Sequence, residues 1–197
     1  MAEKRIRRPD VRAIGWFIGR AIALYAAFLF CWAPLLPKYV AAVTPVSNLE
    51  LRALGVANTT RLGPSRDPRY EVAVYHREAA GMSDSLFDFK IEAFRSHVPM
   101  LLALIFATPI RLWRRIKAAA VSLGCMYLID SLVCVLIMIW SYTFLPDQHE
   151  WTPFAASPVR DAIVGTLYSM YNSVGVVFVP LILWIATSIR KEDLRGI

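Results

Sequence analysis

The stretch Ala118–Leu145, AAAVSLGCMYLIDSLVCVLIMIWSYTFL, holds one charged residue, Asp130, in an otherwise lipid-compatible run. As an α-helix rising 1.5 Å per residue it reaches about 42 Å, more than the ~30 Å hydrocarbon core of a bilayer. Three other blocks repeat the pattern. Residues 13–36 carry AIALYAAFLFCWAPLL after Arg20, and residues 162–189 read AIVGTLYSMYNSVGVVFVPLILWIATSI. The fourth block, 98–113 (VPMLLALIFATPIRLW), is marginal, because only Val98–Ile110 is free of charge. It crosses if Arg111 snorkels and the helix begins before Pro99, or if the bilayer thins; a re-entrant segment is the alternative. Across the 197 residues 57% are hydrophobic and 19% charged, against about 45–50% and about 25% in soluble domains. Disorder is excluded by that balance, and three unevenly spaced cysteines exclude a disulfide framework.

Charge sets the expected threading. Lys4, Arg5, Arg7, Arg8 and Arg12 precede the first block (basic segment 1–12), with Arg20 just inside it. Arg111, Arg114, Arg115 and Lys117 surround the 114–117 loop, and Arg190, Lys191 and Arg195 lie in the 190–197 tail. The connections 37–97 and 146–161 are nearly balanced in charge. Basic residues at span ends stay cytoplasmic, so the expectation is a mainly α membrane protein with four transmembrane helices, N-in and C-in. The first block reads as an uncleaved anchor, because Arg20 interrupts it and no A-x-A site follows before Pro45. Basic clusters at the feet of apolar spans argue for lipid contact and against nucleic acid.

Residues 37–97 form the extracytoplasmic insert between the first two helices. Pro34 and Pro37 should end or kink the first helix, and Lys38–Val46 is apolar enough to lie along the membrane. Three strand-like runs follow, at Asn48–Leu54, Arg69–Arg77 and Phe87–Phe94. In the second, Tyr70, Val72, Val74 and His76 alternate with Glu71, Ala73 and Tyr75. In the third, Phe87, Phe89 and Ile91 alternate with Asp88, Lys90 and Glu92. Gly63–Pro68 and Ala79–Asp84 read as turns. A three-stranded antiparallel sheet cannot bury much alone, so its apolar face must cover helix ends, lipid or another protein. Phe87, Phe89, Ile91, Tyr70, Val72 and Val74 are therefore the candidate partner-binding face.

Chemistry is sparse. Hydrolase, metalloprotease and nucleotide-binding motifs are absent, and His76, His97 and His149 read as lying outside the membrane and far apart. No cofactor and no metal are expected. Cys31, Cys125 and Cys134 read as packing residues. Asp130 is the exception, since a carboxylate at depth costs about 2.5–3.5 kcal/mol on insertion scales and must face protein or water. Tyr127 and Cys134 share its helix face, Asn172 lies at similar depth beside Gly165, Tyr168 and Gly175, and Arg20 is within snorkelling reach of the inner surface. Two readings stand: an interhelical polar clamp, or a proton-relay or substrate site built from Asp130, Tyr127, Asn172 and Arg20. A relay ordinarily uses more than one buried carboxylate, which favours the clamp.

The order of WAPLLPKYVAAV (Trp32–Val43), LLALIFATPIRLWRR (Leu101–Arg115) and LYSMYNSVGVVFVPLILW (Leu167–Trp184) resembles the small exosortase-associated membrane proteins, particularly those linked with the H-type exosortase. The resemblance is one of pattern over most of the chain. It implies an accessory, non-enzymatic subunit beside a membrane sorting transpeptidase, in a bacterial inner membrane, and it brings no catalytic residues. The exosortase itself is similar only in being polytopic: Cys31, His149 and Arg160 do not stand in its contexts. A small transporter or membrane enzyme using Asp130 is the alternative function.

Overall fold

The computed structural model describes residues 11–55, 60–78, 81–141 and 158–188. The expectations for the basic N-terminus before residue 11, for residues 142–157 with His149, and for the tail after residue 188 lie outside them. The protein is mainly helical with one small antiparallel sheet. Its elements in chain order are α1 (Val11–Trp32), α2 (Leu36–Ala53), β1 (Thr60–Pro64), β2 (Val72–Glu78), β3 (Gly81–Phe89), α3 (Glu92–Ala107) and α4 (Leu112–Ser141). Then α5 (Pro158–Met170) passes through a π-helical turn (Tyr171–Gly175) into α6 (Val176–Ser188).

Among the described residues three helices are long and apolar enough to cross a membrane: Val11–Trp32, Leu112–Ser141 and the continuous Asp161–Ser188. The marginal block at 98–113 is different. Its helix, α3, has 16 residues and rises about 24 Å. It begins six residues earlier than the apolar pattern suggests and stops at Thr108, where the backbone turns extended ahead of Pro109. Its start is made by a side chain distant in sequence. Buried Glu71 accepts the Ile91 N–H at 2.7 Å, placing a carboxylate at the N-terminus of α3. Residues 92–94, expected to end a strand, are therefore the first turn of a helix.

The insert departs from its expected form in three further places, one of them Gly81–Asp84, which opens β3 where a turn is expected because it pairs with Arg77 and Glu78. Residues 36–53 are one helix, and Asn48–Leu54 is not a strand. The spacing of its buried residues, Val40, Val43, Ser47 and Leu51, is that of one helix face. The first strand lies at 60–64 instead, so Gly63 and Pro64 close a strand before the turn begins. Asn48 reaches from α2 to the edge of β1, accepting the Leu62 N–H at 2.9 Å and donating to its carbonyl at 2.8 Å. That amide substitutes for a fourth strand on an otherwise unpaired edge. The sheet order is β1-β2-β3, with Leu62 opposite Val74 and Val74 opposite Phe87. At Gly63 a Cβ would stand 3.1 Å from the Tyr75 ring, whose hydroxyl donates to the Pro64 carbonyl at 2.6 Å.

The helices differ sharply in what they bury. α4 is central, with half of its most apolar stretch inside the protein, whereas α1 has no buried residue. Two apolar clusters flank α4. The outer one joins Val40, Val43, Leu51, Leu62, Val72, Val74, Ile91 and Phe94 to Val133–Met138. The inner one gathers Val98, Leu101 and Ile105 of α3 around Ala118, Ala119 and Met126. Aromatic pairs stand at both ends of the bundle: Trp140 against Tyr168 (5.1 Å between rings) near the sheet, and Phe17 against Trp184 (5.8 Å) at the opposite end.

Candidate functional site: a buried Asp130 cluster

Asp130 sits on α4 at the seam between the two apolar clusters, with no exposed surface. Three side chains from three other elements converge on it. Tyr39 of α2 donates to Oδ2, Tyr171 of the π-helical turn donates to Oδ1, and His97 of α3 places Nε2 2.8 Å from Oδ2. The other ring nitrogen of His97 faces the Ala93 carbonyl one turn back, within hydrogen-bonding reach. Three hydrogen-bonding partners on one carboxyl group offset much of the penalty for burying it.

Each donor is positioned by its backbone. Tyr39 is in the first turn of α2, immediately after the Ala33–Leu35 break around Pro34, and its ring packs edge-on against Trp32 (5.1 Å) and Phe94 (6.1 Å). Tyr171 opens the π-helical turn, where one extra residue per turn rotates the side chains that follow. Gly175 makes room for it: a Cβ there would stand 3.0 Å from the Tyr171 ring. His97 is on the buried face of α3 with Ala93, Phe94 and Leu101.

Sequence reasoning found the centre of this cluster and missed its ligating side chains. The Tyr127 hydroxyl donates to the Ala42 carbonyl at 2.7 Å rather than to Asp130, tying α4 to α2. Asn172 instead caps α3, accepting the Ala93 N–H at 3.3 Å, while neighbouring Tyr168 donates to the Lys90 carbonyl at 2.9 Å. Arg20 is half-buried on α1 and takes no part. His97, read as extramembranous, is buried beside Asp130 because α3 begins well before Val98. Its signal was available: Phe94, His97, Leu101 and Ile105 share a helical face. At the next residue of α4 a second polar contact follows, with Ser131 Oγ 3.2 Å from Ser47 Oγ and donating to Glu50 Oε2 at 2.8 Å.

The sheet face expected to meet a partner is used within the chain. Val72, Val74 and Ile91 are wholly buried in the outer apolar cluster, against α2 and the upper half of α4. Phe89 packs on the same cluster beside Trp140 (6.3 Å), and Phe87 is half-buried next to Phe89. Tyr70 lies outside the strands, half-buried. Of the choices the sequence left open, helix ends take most of this face. Its reverse is covered too, since Ala73 and Tyr75 are also buried.

A second carboxylate cluster holds the sheet to α3. Glu71 pairs with Arg95, whose guanidinium also donates to the Arg69 carbonyl at 3.2 Å. In the exposed β1–β2 turn Arg69 forks onto Asp67 (2.6 Å), and that partner holds the Asp67 carboxyl below the usual carboxylate range. Among the described residues no three of His, Cys, Asp and Glu converge as metal donors. No protein-family profile, curated protein or solved structure matches the chain.

Proposed function

We propose that this chain is a four-crossing integral membrane protein, N-in and C-in, serving as a non-enzymatic accessory subunit. In this reading α3 is the short second crossing, and 36–91 is a rigid extracytoplasmic platform for a larger membrane assembly. The observation that carries it is the Asp130 cluster. One buried carboxylate joins α2, α3, α4 and the π-helical turn, so the outer layer and the bundle move as one body. A polar tie among helices suits a part that must hold its shape against a partner. The order of elements is also compatible with an exosortase-associated role in a bacterial inner membrane.

Two measurements test it. Single cysteines at Ser65 and at Arg114, in a background lacking the three native cysteines, should label from opposite sides of the membrane. Mild detergent extraction followed by mass spectrometry should recover a stoichiometric membrane-protein partner. Labelling of both positions from one side would overturn the threading, and a chain that always purifies alone would overturn the subunit role.

The buried His97–Asp130 contact favours a second reading, a small proton-handling transporter or enzyme. A joint replacement separates the two. His97→Leu with Asp130→Leu removes both titratable groups but keeps the space filled. Loss of assembly or abundance with the double variant supports the clamp; normal assembly with abolished proton-coupled flux in liposomes supports the relay.

A further inference from the structure

A cleft of about 410 Å³ opens between the last turn of α1, the first turn of α2 and the β1–β2 turn, separate from the Asp130 cluster. Its volume falls in the ~300–1,000 Å³ range of small-molecule sites. One wall is apolar, formed by Leu29 and Trp32 of α1 with Leu36 and Val40 of α2. Because α1 is of membrane length and buries no residue, this wall is continuous with the surface α1 offers to lipid. The other end is polar and held in place. Both Glu71 oxygens are engaged, by the Ile91 N–H and by Arg95 Nε, and Arg95 Nη2 reaches the Arg69 carbonyl. A guanidinium has five N–H groups, so among the described residues three remain on a side chain that is 43% exposed and borders the cleft. The turn that forms the far wall carries Arg66 and Arg69 beside Asp67 and Asp88, so the anion-binding group of the cleft is the open edge of Arg95.

We propose that this cleft is a binding site for an anionic amphiphile, with the acyl chain along Leu29, Trp32, Leu36 and Val40 and a carboxylate or phosphate head on Arg95. Glu71 fixes the guanidinium plane in advance, so a two-oxygen head can dock on the fork without reorganising it. The apolar wall draws the chain sideways from the bilayer, where such molecules are already concentrated.

The test incubates the full chain, purified in mild detergent, with oleate, with phosphatidylglycerol or with phosphatidylcholine, and reads retained amphiphile by native mass spectrometry. Retention of oleate, phosphatidylglycerol or both, with phosphatidylcholine about tenfold weaker, is expected from one charged hydrogen-bond pair. Retention of oleate alone assigns the source as free fatty acid, and of phosphatidylglycerol as lipid headgroup. Ala33→Trp fills the cleft without touching the ion pair and should abolish retention while the thermal unfolding curve stays unchanged. Arg95→Gln should remove the preference for anions; should that variant not fold, Ala33→Trp decides alone. Equal retention of phosphatidylcholine, or retention unaffected by Ala33→Trp, overturns the proposal.

Discussion

Asp130 and Glu71 are both buried carboxylates, and each joins elements far apart in sequence, yet they are neutralised in opposite ways. Glu71 lies at the sheet and is met by a permanent cation, Arg95, whose guanidinium keeps close to half its surface in water. Asp130 lies inside a membrane-length helix and is met by two phenols and an imidazole, none of which brings a fixed charge. The difference follows from the surroundings. An arginine at the surface keeps most of its hydration while it pairs, whereas one beside Asp130 would have to shed all of it. Two hydroxyls and an imidazole satisfy the carboxylate without that cost.

Removing Asp130 is expected to have the largest effect. Asp130→Ala leaves two phenols and an imidazole buried without their acceptor, and should destabilise the chain by about 3–5 kcal/mol in detergent-micelle unfolding. The paired His97→Leu and Asp130→Leu replacement should cost less than Asp130→Ala, since the imidazole is not left without its partner and the space stays filled. A double variant as unstable as the single one would show that the His97–Asp130 contact adds nothing to the cluster. Glu71→Ala comes next, at about 1.5–3 kcal/mol, because Arg95 can return to water while the Ile91 N–H cannot. Urea unfolding with a probe in the sheet should detect it, and an effect as large as that of Asp130→Ala would erase the contrast between the sites.

Tyr171→Phe should be milder, about 1–2 kcal/mol, since Asp130 keeps two donors. Tyr39→Phe removes the tie to the outer helix as well as a donor. Hydrogen exchange in α2 should rise with Tyr39→Phe and stay unchanged with Tyr171→Phe. The smallest effect belongs to the exposed Asp67–Arg69 pair. Its lowered carboxyl pKa means that its contribution is present above about pH 3.8 and fades as pH falls through the folded value. Asp67→Asn should flatten that acid limb slightly and leave stability at neutral pH nearly unaltered.

How much of this was legible in the sequence depends on the kind of signal. Long apolar runs with basic ends identified α1, α4 and the α5–α6 rod as membrane-length helices, and the lone acid Asp130 announced a buried polar contact. The alternation at 72–75 identified β2. Errors gathered where a local pattern was ambiguous. Val40, Val43, Ser47 and Leu51 mark a helix face, but Pro37, Pro45 and the β-branched residues between them weakened it, and Asn48–Leu54 was read as extended. Phe87–Phe94 alternates like a strand throughout, yet its last three residues are helical because Glu71, twenty residues away, accepts the Ile91 N–H.

The sequence alone determined which segments leave water, since transfer of apolar side chains depends on composition and length and hardly on neighbours. It also required that Asp130 find partners, because an unpaired acid at that depth is too costly. Only the tertiary structure decided which partners those were. Tyr39, His97 and Tyr171 lie 91, 33 and 41 residues from Asp130. They converge through a helix start set by a distant carboxylate and a π-helical turn that no local periodicity encodes. Hydrogen bonds are short and directional, so their partners are fixed by how the helices pack.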